Sequence, residues 1–374
     1  MKLVVAFDSF KGSLSSTEAA EAFTAGWLAV RGDDTITQLS IADGGEGTAE
    51  ALVAATEGEW RSVVVHDPIG RSIVARYGIA KSSAIVELAE ASGLTLLSPD
   101  ERNPLLTTTY GTGELLHAAL NDGYRHIVVG LGGSATNDCG VGLLRALGYR
   151  FLDSDGNELR GGGEILGRVA TIDDSDRVKA LDEATIVVAS DVDNPLYGER
   201  GAAHIYAPQK GADSAMVEAL DSGARHFAEV VARHTGHDHS MTMGAGAAGG
   251  VGFALIALLG ARLSPGIDII LDAAHFDEEA ATADLIITGE GRIDHQSLMG
   301  KTISGILGRA KQLGKDIIAI GGQVTDREQL LASGLKAVYA ITPEGMPLEE
   351  AIKKSTAKEN LRRTASLIAT MIGV

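Results

Sequence analysis

Short runs of Val, Ile and Leu alternate along the chain with segments whose apolar residues recur at helical spacing. That alternation predicts parallel strands joined by crossover helices. LVVAF (3–7) leads into a loop and then a helix opening near Ser15, whose spacing to Glu18 forms a capping box. TITQLSIA (35–42) precedes DGGEGT and a second helix, and IVVGL (127–131) precedes GGSATNDCG and the helical run VGLLRALG. IVVAS (186–190) precedes DVDNPLYGERGAA, DLIITG (284–289) precedes EGRIDHQSLMGKT, and IIAIGG (317–322) repeats the form. In all of these units but the last, the strand runs into a loop mixing Gly with Asp, Asn, Ser or Glu. Ligands of open α/β sheets bind outside the carboxyl ends of strands, so these loops are where chemistry is expected. The stretch 61–87 breaks the rhythm and reads as successive strands with tight turns, an antiparallel insertion or a domain margin.

A length of 374 residues exceeds the usual single-core limit, so two domains are expected. The net charge of -18 and the scarcity of aromatics, 4%, argue against nucleic-acid binding, which draws on clustered cations and stacking rings. No run of 18 apolar residues occurs, and MKLVVAF is too short for a signal-peptide core. Cys139 is the only cysteine, which excludes an intrachain disulfide and suggests a reducing compartment. A soluble, cytoplasmic protein is the expectation.

The stretch TGEGRIDHQSLMGKT (288–302) ends as a Walker phosphate loop ends, but His295 stands where G-x-x-x-x-G-K-[ST] requires glycine. Its carboxylates Glu290 and Asp294 are candidate magnesium ligands, and Ser297, Gly300 and Lys301 precede a helix whose start could hold phosphate. In GGSATNDCG, Gly132 and Gly133 let backbone approach a ligand and Ser134 and Thr136 add hydroxyls, a phosphate or carboxylate cradle built from dipoles. Asp191 and Asp193 follow an apolar strand directly and could hold a divalent ion, accept a substrate proton, or cap a helix. Asp8, Lys11, Asp43 and Glu46 follow two expected strands, and Lys11 is one of few cations among these loops. Two patterns are discounted. Gly244, Gly246 and Gly249 match G-x-G-x-x-G without a clear preceding strand, and His234, His237 and His239 lack further metal ligands.

Taken in order, FDSFKGSLSSTEAA (7–20), ADGGEGT (42–48), GLGGSATNDCG (130–140), SDVDNPLYGERGAA (190–203), GAGAAGGVG (244–252) and TGEGRIDHQSLMGK (288–301) resemble the bacterial glycerate kinases of the type-1 family, essentially from end to end. Cys139 is a departure, since relatives carry another small residue there. The resemblance implies two α/β domains with a cleft between them, one Rossmann/flavodoxin-like and the other inserted centrally. The expected division is 1–75 plus 285–374 for the domain of the two chain ends, and 76–284 for the central domain. It also implies ATP-dependent, Mg2+-assisted phosphorylation of D-glycerate, to 2-phosphoglycerate in preference to 3-phosphoglycerate, by a monomer or homodimer with no nucleic-acid or membrane partner. On that reading Asp191, Lys11 and Asp294 are catalytic, and Asp8, Ser9, Lys11, Asp43 and Arg292 bind substrate. Gly132, Gly133, Ser134, Asn137 and Lys301 bind nucleotide, and Glu46, Asp193 and Glu290 hold metal. A kinase for another small hydroxy or sugar acid, and a non-catalytic sensor of glycerate or nucleotide, are the alternatives.

Overall fold

The computed structural model describes residues 1–41, 47–299 and 302–372. Its strands in chain order are β1 (Lys2–Phe7), β2 (Thr35–Ser40), β3 (Glu59–His66), β4 (Ser72–Ala80), β5 (Ser83–Glu87), β6 (His126–Gly130), β7 (Arg150–Leu152), β8 (Thr171–Asp173), β9 (Thr185–Ala189), β10 (Arg262–Ser264), β11 (Leu285–Ile293), β12 (Ile317–Val324) and β13 (Ala337–Ala340). The chain divides into two compact units, Met1–Gly44 with Ala54–Thr56 and Ile267–Val374, and Gly45–Val53 with Glu57–Gly266. These limits differ from the expected 75/76 and 284/285 for two physical reasons. Strands β3 and β4 pair within the second unit's sheet. The acidic residues Asp268, Asp272 and Asp277 bind the mostly buried Arg309 of the first unit, at 3.4, 2.7 and 2.8 Å.

The first unit is built on a sheet of order β13-β12-β11-β1-β2 in which every pairing is parallel. Parallel sheets are covered on both faces, which is why LVVAF and LIITG read as unbroken apolar runs and are buried throughout. Ser15 caps the helix Ser16–Leu28 as its spacing predicts: its hydroxyl accepts from the Glu18 N–H at 3.2 Å, and its own N–H donates to the Glu18 carboxylate at 3.3 Å. Phe23 of that helix meets Phe7 edge-on at 5.7 Å and Trp27 at 5.6 Å. From β1 the chain moves to one side, to β2; β11 lies on the other side and leads outward to β12 and β13. The strand order therefore reverses between β1 and β11, where open α/β sheets place their ligands.

The second unit carries a sheet of order β10-β9-β6-β5-β4-β3. The pairings from β10 to β5 are parallel, while β5, β4 and β3 form an antiparallel arm, the one read in stretch 61–87. The helix Ser214–Thr235, capped by the Asp213 carboxylate and closed by the left-handed Gly236, lays Phe227 between Phe151 and Phe253 at 5.7 and 6.2 Å.

Trp27 also fixes a polar corner of the first unit. The Asp34 carboxylate accepts from the Trp27 Nε1–H at 2.9 Å, the Arg31 Nε–H at 2.7 Å and the Met1 ammonium at 2.6 Å. Burial alone would raise the Asp34 pKa, but these donors hold it well below the usual carboxylate range. The folded state thus protonates later than the unfolded one as pH falls, so the contribution is present above about pH 4 and is lost progressively below it. Asp34→Asn is expected to cost about 1–3 kcal/mol at neutral pH and to flatten the acid limb of the stability profile, both read by urea denaturation.

Candidate active site

At the reversal of strand order, β1 gives way to Asp8, a carboxylate that is 4% exposed. Its N–H donates to the Gly289 carbonyl of β11 at 2.9 Å, and its oxygens accept from the Ser9 N–H at 2.6 Å and the Thr302 hydroxyl at 3.2 Å. Asp8 therefore joins two strand ends to the start of helix Thr302–Gln312. The next residues turn tightly through Gly12, φ +79°, with Phe10 bridging Leu14. Gly291 lies under this turn, where an added Cβ would come within 3.2 Å of the Lys11 backbone nitrogen. Along β11 the side chains of Glu290 and Arg292 share one face and Gly291 occupies the other. These segments enclose a pocket of about 740 Å³ lined by Ser9, Lys11, Glu290, Arg292, Asp294 and Ser297 among others, with Ile341 and Leu348 supplying apolar wall.

Asp294 performs a structural task within this pocket. One of its oxygens accepts from the Gln296 N–H at 2.9 Å, the other lies 3.3 Å from Arg292 Nε, and its N–H donates to the Ser297 hydroxyl at 3.3 Å. The result is a capped 3-10 turn, His295–Leu298, braced by His295 Nδ1 against Asp326 at 3.0 Å. The described part of TGEGRIDHQSLMGKT is thus a strand end and a capped turn, and no Walker loop forms there. The expected site residues Asp43, Glu46 and Lys301 lie outside the described residues.

In the second unit, GGSATND forms a loop after β6 whose polar groups largely face inward. Ser134, Thr136, Asn137 and Asp138 are all buried. The Ser134 hydroxyl accepts from the Thr136 N–H at 3.1 Å, and Gly133, φ +70°, accepts from the Leu94 N–H at 2.8 Å. These hydroxyls hold the loop's shape, leaving backbone amides as the groups it can offer to a phosphate. The Asn137 side-chain oxygen is buried with no hydrogen-bond partner among the described residues. Asp138 anchors the far end: its oxygens accept from the N–H and hydroxyl of Thr109, both at 2.8 Å, and from the N–H groups of Gly140 and Gly142, both at 3.1 Å. Burial raises its pKa, and these donors oppose that rise.

Beneath the loop lies Lys210, a residue that the sequence pattern gives no reason to single out. It is 2% exposed, and its Nζ donates to the Thr136 carbonyl at 2.6 Å and the Ser134 hydroxyl at 3.4 Å. Burial lowers its pKa to about 7, against a smaller opposing pull from Asp138. Asp138 is a second residue missed in the sequence, although a carboxylate just ahead of helix N–H groups in GGSATNDCG is a signal that could have found it, whereas APQKGA around Lys210 carries no comparable mark. The glycines of GAGAAGGVG serve backbone contact: Gly249, φ +67°, places its Cα where any Cβ would collide with the Thr136 carbonyl.

Asp191 stands just past the end of β9, exposed, with one oxygen accepting from the Gly266 N–H at 3.1 Å. Asp193 is exposed and pairs with Arg200 at 3.1 Å, a surface contact of small energetic weight. Asn194 is structural, donating to the Arg200 carbonyl at 2.8 Å and accepting from the Tyr206 hydroxyl at 2.6 Å. His237 and His239 lie 6.3 Å apart ring to ring, while His234 approaches Asp174 at 3.5 Å. Among the described residues no group of three or more His, Cys, Asp or Glu is placed to hold a metal. Cys139 is buried in the left-handed region, φ +48°, and burial pushes its thiol pKa up, so it is inert. The structure thus gathers Asp8, Ser9, Lys11, Glu290, Arg292 and Asp294 in the first unit. It places Gly132, Gly133, Ser134, Asn137, Asp191 and Asp193 at strand ends of the second.

Among the described residues no helix is long and apolar enough to cross a membrane. The Glycerate kinase family profile matches residues 3–373. The chain is 45% identical to the glycerate kinase of Bacillus subtilis (strain 168), over 100% of this chain and 98% of the relative. It is 42% identical to the glycerate 2-kinase of Escherichia coli (strain K12), again over 100% and 98%. A crystal structure described as a glycerate kinase 2 from Salmonella typhimurium LT2 superposes with a TM-score of 0.90 at 44% identity, covering 100% of this chain and 98% of that one. The reversed strand order, the strand-end pocket and these full-length matches agree: the chain belongs to the glycerate kinase family and is a kinase.

Proposed function

We propose that the chain transfers the γ-phosphoryl group of ATP to the 2-hydroxyl of D-glycerate, releasing ADP and 2-phosphoglycerate. The observation that carries this reading is the strand-end pocket of the first unit, where Lys11 and Arg292 offer cations to a small carboxylate inside an otherwise acidic protein. The name of the Escherichia coli relative, glycerate 2-kinase, supports the position of transfer.

In this reading the glycerate carboxylate binds Lys11 and Arg292. Arg292 is held in direction by Asp294, so its fork meets the carboxylate without first being ordered. Ser9, whose N–H is fixed on Asp8, orients the hydroxyls. The attacking 2-hydroxyl gives its proton to a carboxylate base, the role for which Asp191 is the candidate, as the oxygen–phosphorus bond forms, and the bond between the γ-phosphorus and the β,γ-bridging oxygen breaks, leaving the electron pair on ADP. The amides of the loop at Gly132, Gly133, Ser134 and Asn137 cradle nucleotide phosphates. Glu290 in the first unit and Asp193 in the second are each hard oxygen donors of the kind Mg2+ takes, and the ion is ordinarily held by one or two carboxylates plus phosphate oxygens, so a preformed cage of three ligands is not required. When bound, the ion neutralises charge on the phosphates.

Asp191→Asn is expected to lower kcat by about 10²- to 10⁴-fold with the KM for glycerate changed by less than about threefold; near wild-type kcat in a folded variant removes the base assignment. Phosphorus NMR of the wild-type product should show 2-phosphoglycerate, while 3-phosphoglycerate contradicts the proposed position, and no ADP release with any hydroxy acid contradicts catalysis altogether. Lys210→Met, which withdraws the donor beneath the Ser134–Thr136 loop, is expected to raise the KM for ATP about tenfold while the KM for glycerate stays within about twofold. An unchanged KM for ATP would show that this loop does not carry the nucleotide.

A further inference from the structure

The second unit contains another pocket, of about 450 Å³, whose lining shares no residue with the strand-end pocket. Arg145, on the short helix Val141–Ala146, reaches into it. Among the described residues the Arg145 Nε–H is buried without a hydrogen-bond partner and the guanidinium forms no ion pair; the guanidinium stands 5.5 Å from the Tyr110 ring. That isolation needs a reason, because the chain has 50 Asp and Glu for 32 Lys and Arg, so an arginine here has carboxylates in excess to choose from. The neighbouring Glu158 is occupied by Arg160, at 3.2 and 3.3 Å. A buried, unmatched guanidinium N–H costs about 1–3 kcal/mol or more, so such groups in native proteins usually await a water, an ion or a ligand.

The walls say what kind of ligand. His66 and Tyr110 stand edge to face at 5.9 Å and form one side. Glu114 accepts from the His66 N–H at 2.7 Å and contacts its Nδ1 at 2.9 Å, which fixes the ring. The rim is apolar, with Ile69 and Leu106 41% and 58% exposed beside the pocket. A guanidinium inside an aromatic and aliphatic rim matches a small anion with an apolar body, its charge on the fork and its body against the rim.

We propose that the Arg145 pocket is a second ligand site, separate from the strand-end pocket, for a small organic phosphate or carboxylate carrying an apolar group.

Phenyl phosphate, benzoate and inorganic phosphate titrated calorimetrically into the full chain, with and without saturating ADP, test this directly. Phenyl phosphate or benzoate is expected to bind one site per chain, at least tenfold more tightly than inorganic phosphate, and the stronger of the two identifies the preferred head group. ADP should leave that binding unchanged, and so should saturating D-glycerate, the ligand assigned to the strand-end pocket; displacement by D-glycerate would also overturn the proposal. Arg145→Gln should weaken it at least tenfold while kcat on glycerate stays within about twofold. Leu106→Asp, an exposed substitution that leaves the interior untouched, should weaken it also, by placing a negative charge on the rim. Binding unchanged in Arg145→Gln or in Leu106→Asp, displacement by ADP, equal binding of inorganic phosphate, or no binding of either organic anion would each overturn the proposal.

Discussion

Parallel pairing is the constraint on which this molecule depends. A strand that joins its neighbour in parallel must be preceded by a return crossing, so all carboxyl ends of such strands come out on one edge of the sheet. In the first unit that rule holds for all five strands, β1, β2, β11, β12 and β13, and the order reverses between β1 and β11. Asp8 and Glu290 arrive beside one another there although they are far apart in sequence, because Phe7 pairs with Gly289 in the ladder. The hydrogen bond from the Asp8 N–H to the Gly289 carbonyl continues that ladder by one step into the pocket. The second unit obeys the same rule from β5 to β10, which puts the Gly132–Asn137 loop and Asp191 at neighbouring strand ends.

Rigidity at those ends comes from buried charge satisfied by backbone. Asp138 is fully buried and receives five donors among the described residues, three of them peptide N–H groups and two of them the hydroxyls of Thr108 and Thr109, so the loop cannot change shape without stranding a carboxylate. Lys210 adds to this hold, donating to a carbonyl and a hydroxyl of the same loop. Glycine completes the arrangement where backbone meets backbone: at Gly249 against Thr136, no side chain fits. In the first unit Asp294 does for Arg292 what Asp138 does for its loop, fixing a functional group through a structural one.

The sequence revealed local features well. The apolar runs marked strands, Ser15 and Glu18 marked a helix start, and the dense turns of 61–87 marked an antiparallel arm. Features that depend on partners distant along the chain were not legible. The boundary near residue 266 follows from Arg309 binding three aspartates, and nothing in the spacing of those residues announces it. Ser134 and Thr136 read as hydroxyls of a phosphate or carboxylate cradle, whereas in the fold they bond within the loop, because a buried loop must satisfy its own polar groups. Asp294 read as a metal or catalytic carboxylate, and its part in capping a turn was not legible, although any Asp two residues ahead of an unpaired N–H can take it. Lys210 is the clearest omission, because burial of a lysine is a property of the fold and not of its neighbours in sequence.

The account stands on the claim that the strand-end pocket of the first unit receives glycerate. A crystal structure of the chain grown with D-glycerate tests it most directly. The ligand is predicted to lie in the pocket with its carboxylate on Lys11 and Arg292. Density for glycerate away from both residues, against the Gly132–Asn137 loop or elsewhere, would contradict the account.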